Sequence, residues 1–186
     1  MRIRVVAIFL AVFMLVGCRS GKHSVDNAIS FRNKLLESNG CSFSAAVTAD
    51  YGDKIYHFSM DCTTDKEGNL CFTAKEPVSI SGITGNIRSG QGEITFDDKV
   101  LAFPTIAEER LSPVSCPWVL MKALRSGYIR TSTKESDGFT VSVDDSYAED
   151  ALNLEVFIKN NTPHSAEIYW KGRRVLEIFV ENFSYL

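Results

Sequence analysis

The stretch CSFSAAVTADYGDKIYHFSMDC, Cys41 to Cys62, constrains the fold more than any other part of the chain. Apolar side chains recur at alternate positions on both sides of Asp50-Tyr51-Gly52-Asp53, a cluster of turn-forming residues. A period of two puts them on one face of a strand, and the turn signal folds two such strands into an antiparallel hairpin. Centred on Tyr51-Gly52, the hairpin sets Val47 opposite Tyr56, Ala45 opposite Phe58, Phe43 opposite Met60 and Cys41 opposite Cys62. The large apolar pairs then share one buried face, and a slip by one residue would spoil the pattern. This register predicts a Cys41–Cys62 disulfide. The competing pairing is Cys62–Cys71, across the next hairpin, TTDKEGNL. A bulge at Gly68 disfavours it, because the extra residue returns Leu70 and Phe72 to the core face and takes Cys71 off it. Cys71 and Cys116 are then expected as free buried thiols.

The rest of the chain reads as more strands and two helices. VDNAISFRNKLLESNG has helical spacing, with Ser24 as N-cap, Ala28, Phe31 and Leu35 as a stripe flanked by Ile29 and Leu36, and Gly40 beyond the end. LSPVSCPWVLMKALRSGYI is the second helix, with Pro117 in its first turn, Leu120, Met121 and Leu124 on one face, and Gly127 at its end. Around Asp98-Lys99 a hairpin is expected to pair Phe96 with Leu101 and Ile94 with Phe103. Alternation near residues 127–132, 139–143, 152–158, 166–170 and 175–183 supplies the remaining strands. The fold class is therefore α+β: an antiparallel sheet of about ten strands, curling as an unclosed barrel, with two helices inserted.

Where this domain works is written in MRIRVVAIFLAVFMLVGCRSGKHS. Val5 to Gly17 is an uncharged run of thirteen residues, short of the ~20 needed to span a bilayer. Arg2 and Arg4 precede it, as in a secretory signal. The run closes on Leu15-Val16-Gly17-Cys18, which resembles the lipobox of bacterial lipoproteins. That resemblance implies cleavage before Cys18 and conversion of Cys18 to an acylated, diacylglyceryl cysteine. One acyl chain holds a protein only marginally and two signals hold it stably, so a doubly or triply acylated cysteine is an adequate anchor. The organisation follows as signal peptide 1–17, tether 18–24 and domain 25–186, with the protein lipid-anchored on the extracytoplasmic face of the cell membrane. The chain carries a formal net charge of −3, or −5 once Arg2 and Arg4 leave with the signal. Such a balance points away from nucleic acid as a partner. A monomer without a cofactor is expected.

Beyond the lipobox, a wider resemblance covers most of the mature chain. A helix, paired strands, a PVSISGI segment, the hairpin GEITFDDKVLAF, the helix entry LSPVSCPW and a closing run of strands together resemble the LolA/LolB-type lipoprotein-carrier superfamily. The phrases TADYGDKIY, SGITG, FDDK and RSGYI are similar to those of uncharacterised clostridial lipoproteins. The superfamily's fold is an unclosed barrel whose helices lid an apolar cavity that accepts acyl chains. The resemblance implies that Phe43, Val47, Tyr56, Phe58, Met60, Ile94, Phe96, Leu101 and Phe103 face such a cavity, with Trp118 and Met121 under the lid. A lipid or other apolar small molecule is the ligand it implies. Carriers with the LolA role are soluble, whereas this chain is expected to be anchored, as LolB is.

Catalytic chemistry finds little support. Cys116 with His23, His57 or His164 would make a thiol–base pair, but no catalytic context surrounds any of them. Neither CxxC nor HExxH occurs, so no metal ligand spacing is present. The acidic run Asp144 to Asp150 lacks the spacing and glycine of a calcium loop and reads as a solvated turn. Glycines in SGITGNIRSGQG match no phosphate cradle and read as turn chemistry. Arg173-Arg174 could grip a lipid phosphate at a cavity rim or form a charged hairpin tip. A non-catalytic lipid-binding lipoprotein is thus expected first. The alternative is a structural or protein-interaction lipoprotein with a filled core, and an enzyme comes last. A cavity of several hundred Å³ would favour the first over the second.

Overall fold

The computed structural model describes residues 21–186 apart from 90, 97, 98, 105, 108 and 109, and leaves the side chains of residues 21–24 and 96–111 undescribed. Helix α1 (Gly21–Glu37) leads into three strands, β1 (Gly40–Asp50), β2 (Ile55–Asp65) and β3 (Leu70–Glu76). Pro77 ends β3, and a 3-10 turn at Val78–Ile80 leads to β4 (Thr84–Arg88), β5 (Gln91–Phe96) and β6 (Lys99–Pro104). A two-stranded ribbon, β7 (Ile106–Ala107) and β8 (Arg110–Leu111), precedes α2 (Cys116–Ser126). A second meander closes the chain: β9 (Tyr128–Glu135), β10 (Gly138–Asp144), β11 (Asn153–Lys159), β12 (Thr162–Trp170) and β13 (Arg173–Tyr185).

Eleven strands form one antiparallel sheet in the order β6-β5-β4-β3-β2-β1-β13-β12-β11-β10-β9. Two hairpin meanders are thus sewn together where β1 meets β13, and the sheet stays open between β6 and β9. This is the expected α+β class, a curved antiparallel sheet not closed into a barrel. Among the described residues no helix is long and apolar enough to cross a membrane.

The hairpin that set the expectations keeps its faces and changes its register. Phe43 pairs with Cys62, Ala45 with Met60 and Val47 with Phe58, two residues away from the alignment centred on Tyr51-Gly52. The loop spans four residues, closed by the Tyr51 N–H donating to the Lys54 carbonyl at 3.0 Å. Gly52 takes a positive φ of 89°, and its N–H is accepted by Asp50 Oδ1 at 2.7 Å. A two-residue type I′ turn would also force Tyr51 to positive φ, which a bulky side chain resists. Consequently Cys41 stands opposite Thr64, not Cys62, and all four described cysteines are free thiols. Cys41 and Cys62 are diagonal neighbours on one face, whereas a disulfide wants Cβ atoms only ~3.5–4.5 Å apart. The hairpin between β5 and β6 moves by two in the opposite sense, pairing Ile94 with Leu101 and Phe96 with Lys99. Its expected turn centre at Asp98 lies outside the described residues.

Two irregularities re-aim side chains. Gly68, with φ at 86°, supplies the expected shift in the β2–β3 turn, so Leu70 and Phe72 are buried and Cys71 is exposed. The expectation of a buried Cys71 is corrected by that same parity. On β13 a bulge around Asn182 (φ 54°) switches the inward set from Leu176, Ile178 and Val180 to Phe183 and Tyr185. Phe183 then stacks on Phe43 with ring centroids 5.9 Å apart.

Both helices lie on the concave side. Ala28, Phe31 and Leu35 of α1 are buried as expected, against β9 and α2. The helix starts at Gly21, inside the stretch read as tether, which places Ser24 within the first turn and not at the cap. In α2, Pro117 occupies the first turn and Gly127 donates its N–H to the Ala123 carbonyl at 2.8 Å. Every α2 residue from Cys116 to Leu124 except Lys122 is buried. The helices exchange arginines at their C-terminal ends. Arg32 Nε donates to the Leu124 carbonyl at 2.8 Å, and Arg125 Nη1 donates to the Leu35 carbonyl at 3.3 Å. Each cation meets the negative end of the other helix's dipole and satisfies carbonyls that have no intrahelical partner.

Candidate functional site

The residues expected to line a cavity separate into three groups. Phe43, Val47, Phe58, Met60 and Trp118 are all buried, in one continuous apolar cluster with α2 and the concave face of the sheet. Tyr56 shares their strand face but sits at the open end of β2, where it is exposed and meets Tyr51 edge-on at 6.2 Å. The side chains of Phe96 and Leu101 lie outside the described ones, as does the lipidation residue Cys18. Trp118 packs inside with Lys122 Nζ 5.3 Å from its ring centroid. The concavity in front of β1, β10 and β13 is thus occupied by the chain's own helix and the 3-10 turn before it.

The thiols sort by the same geometry. Cys41, Cys62 and Cys116 are buried, and burial pushes each thiol above its ordinary pKa, Cys62 and Cys116 furthest. A nucleophilic cysteine needs the opposite shift. Cys41 is further engaged by Thr64, whose hydroxyl lies 3.0 Å from its sulfur. Exposed Cys71 donates to Asn86 Oδ1 at 2.8 Å.

The histidines and charged runs are engaged in local structure. His57 Nδ1 is 3.0 Å from Thr48 Oγ1 on the outer face, and His164 meets Phe157 edge-on at 6.0 Å. The His23 side chain lies outside the described ones. In the acidic loop, Asp145 accepts the Leu152 N–H at 2.8 Å and Asp144 accepts from Asn153 at 2.8 Å, as a solvated turn would. Arg173 pairs with Asp50 at 3.1 Å, and Arg174 donates to Glu167. Arg173 therefore ties the β12–β13 hairpin to the end of β1, and Arg174 ties the hairpin's two strands to each other.

A candidate site appears on the other side of the sheet. A cleft of about 480 Å³ crosses the outer face of β2, β1 and β13, with Pro77 and Val78 beside it. Its apolar lining includes Ala46, Phe179 and Val78, and its polar lining includes Thr48, His57 and Glu76. Phe179 is 47% exposed and Val78 is 90% exposed. Beside the cleft, Glu177 pairs with Glu167 and Glu167 with Glu155 on successive strands, three carboxylates in one row. Like charges directly opposite destabilise a sheet. Here the Tyr169 hydroxyl, donating at 2.6 Å, and Arg174 hold the Glu167 carboxyl below the usual range. Sequence reasoning missed this site. The available signal was Phe179 itself, a large aromatic at an outward position between inward Ile178 and Val180.

No family model and no curated protein matches the chain. Among solved structures it is similar to a LolA superfamily protein from Nitrosomonas europaea, at 10% identity over 86% of this chain and 93% of that one, with a TM-score of 0.48. Another is the lipoprotein LppX of Mycobacterium tuberculosis, at 9% identity over 87% and 93%, TM-score 0.42. A third is a chain in the structure of the CwlD amidase from Clostridioides difficile in complex with the GerS lipoprotein, at 16% identity over 90% and 98%, TM-score 0.44.

Proposed function

We propose that this chain is a non-catalytic envelope lipoprotein, anchored through Cys18, that works as a protein-binding module through the outer face of its sheet. The observation that carries this reading is the position of α2. Six of the eleven side chains expected around a ligand, Met121 included, are buried in the core cluster that contains that helix. A lipid or other apolar ligand, the occupant implied by the resemblance, would have to displace α2 or bind elsewhere. Meanwhile the outer face keeps Phe179 and Val78 exposed beside a cleft, and apolar surface of that kind marks interaction sites.

The test is native mass spectrometry of the protein taken gently from its own membrane. The expected mass is that of the polypeptide from Cys18 with its acyl groups and no further lipid. In parallel, Phe179→Ser with Val78→Ser should leave membrane attachment unchanged and abolish whatever cross-linked complex the parent protein forms. A second lipid bound in stoichiometric amount, with the cross-linking pattern unaltered by the substitutions, would refute this reading and restore the carrier.

A further inference from the structure

Helix α1 carries apolar residues on two faces, and the fold covers only one. The inner stripe, Ala28, Phe31 and Leu35, is buried. A second stripe, Val25, Ile29 and Leu36, points outward and is 39%, 47% and 42% exposed. The spacings of four and seven residues keep these three side chains in line along roughly 16 Å of helix. A helix with two apolar faces is a helix with two partners.

The position of Cys18 says what the second partner is. Only three peptide steps separate it from Gly21, the first residue of α1, so even a fully extended chain spans about 11 Å there. Given acylation of Cys18, on which this inference rests, the first turn of α1 is held at the lipid surface. Contact between the outer stripe and the membrane then becomes an intramolecular event at high effective concentration. Arg32, one turn from both Ile29 and Leu36, borders the stripe on the inner side and turns in to the Leu124 carbonyl, and the acidic residues Asp26 and Glu37 lie to its other side. We infer that Val25, Ile29 and Leu36 of α1 dock onto the membrane surface, so that the domain lies on the bilayer by its helical side.

The experiment uses the full acylated protein in phosphatidylethanolamine–phosphatidylglycerol vesicles. Cys71→Ser removes the exposed thiol, and a nitroxide is placed at Ile29→Cys or, in a second sample, at Val78→Cys on the opposite face of the sheet. Flotation reads the anchor, and collision with aqueous nickel chelate and with oxygen reads depth. The expected result is flotation of both samples, with the position-29 label roughly 5–10 Å into the headgroup region and the position-78 label in water. Equal exposure of both labels to the chelate in floating protein would overturn the docked face while leaving the anchor standing. Failure to float would overturn the anchor and the docked face together.

Discussion

Met60→Ala separates a packed interior from a ligand cavity more cleanly than any other single change. Met60 was expected to touch a bound lipid, yet it is 1% exposed and lies between Ala45 and Ala74 on the neighbouring strands. Small alanines on both sides leave the methionine chain to fill the space, and alanine in its place would open a void. Large-to-small changes at such core positions cost about 2–5 kcal/mol, a large share of the roughly 5–15 kcal/mol that holds a whole domain. At ~2–4 °C per kcal/mol for a domain of this size, the melting temperature should drop by about 4–20 °C. Tyr56→Ala is the internal control, since Tyr56 belongs to the same expected lining but is half exposed; it should cost less than ~1 kcal/mol. Urea titration followed by the fluorescence of buried Trp118 reads both, with an unchanged m-value as the check that only stability has moved. Were Met60 the wall of an empty cavity, its loss would cost under ~1 kcal/mol, in the range of an exposed position. A lipid extract would then stabilise the parent protein, by about 2.7 kcal/mol at a hundredfold excess over Kd. Those two results together would refute the filled interior.

The thiols furnish two further tests. In the native protein, alkylation should modify Cys71 alone, with Cys41, Cys62 and Cys116 reacting only after unfolding; a peptide joining Cys41 to Cys62 in non-reducing maps would overturn the register that sets Cys41 against Thr64. Burial holds the Cys62 and Cys116 protons above the ordinary thiol range. The unfolded chain sheds them near pH ~8.5 and so binds fewer protons than the native state above it. Stability should therefore be intact below that pH and fall as it rises further, by up to ~1.4 kcal/mol per pH unit for each thiol. Tyr185, its pKa pushed up to about 12 by burial and by Cys41, extends the loss at higher pH. Urea midpoints measured from pH 7 to 10 check this, and a flat profile would contradict the burial of those thiols.

The sequence is legible in some respects and silent in others, and the two misaligned hairpins show why. Alternation with a period of two tells which face each residue takes, and sliding one strand by two residues leaves every face unchanged. The faces of Phe43, Val47, Phe58 and Met60 were therefore readable, while the pairing of Cys41 depended on a turn whose length was set by Asp50 and Gly52. Parity also made the Gly68 shift readable, because Leu70 and Phe72 could be buried together only if Cys71 turned out. Helix α2 was clear from its proline, stripe and glycine. In helix α1 the stripe of Ala28, Phe31 and Leu35 was readable too, whereas nothing in the spacing said that the flanking Ile29 and Leu36 would stay exposed. The arginine exchange had no local signal at all: Arg32 and Leu124 are 92 residues apart.

That exchange gives α1 a second role. Arg125 reaches the Leu35 carbonyl of α1 and, through Nη2 at 2.5 Å, the Lys66 carbonyl of the β2–β3 turn, while Arg32 reaches back to the end of α2. The helix nearest the anchor is therefore bonded to the core helix and to the sheet at once. A bilayer that takes hold of Val25, Ile29 and Leu36 would fix the orientation of the whole domain, because α1 cannot turn without breaking bonds at both helix ends. Side chains alternate across a strand, so Phe179 and Ala46 lie on the face opposite Ile178 and Val47, which pack toward the helices. With the helical side down, the cleft beside Phe179 and Val78 and the glutamate row next to it are presented away from the lipid. Orientation by α1 and binding by the outer face are then two consequences of one arrangement: among the described residues the inner face of the sheet is covered by the two helices, which leaves the outer face to take a different partner.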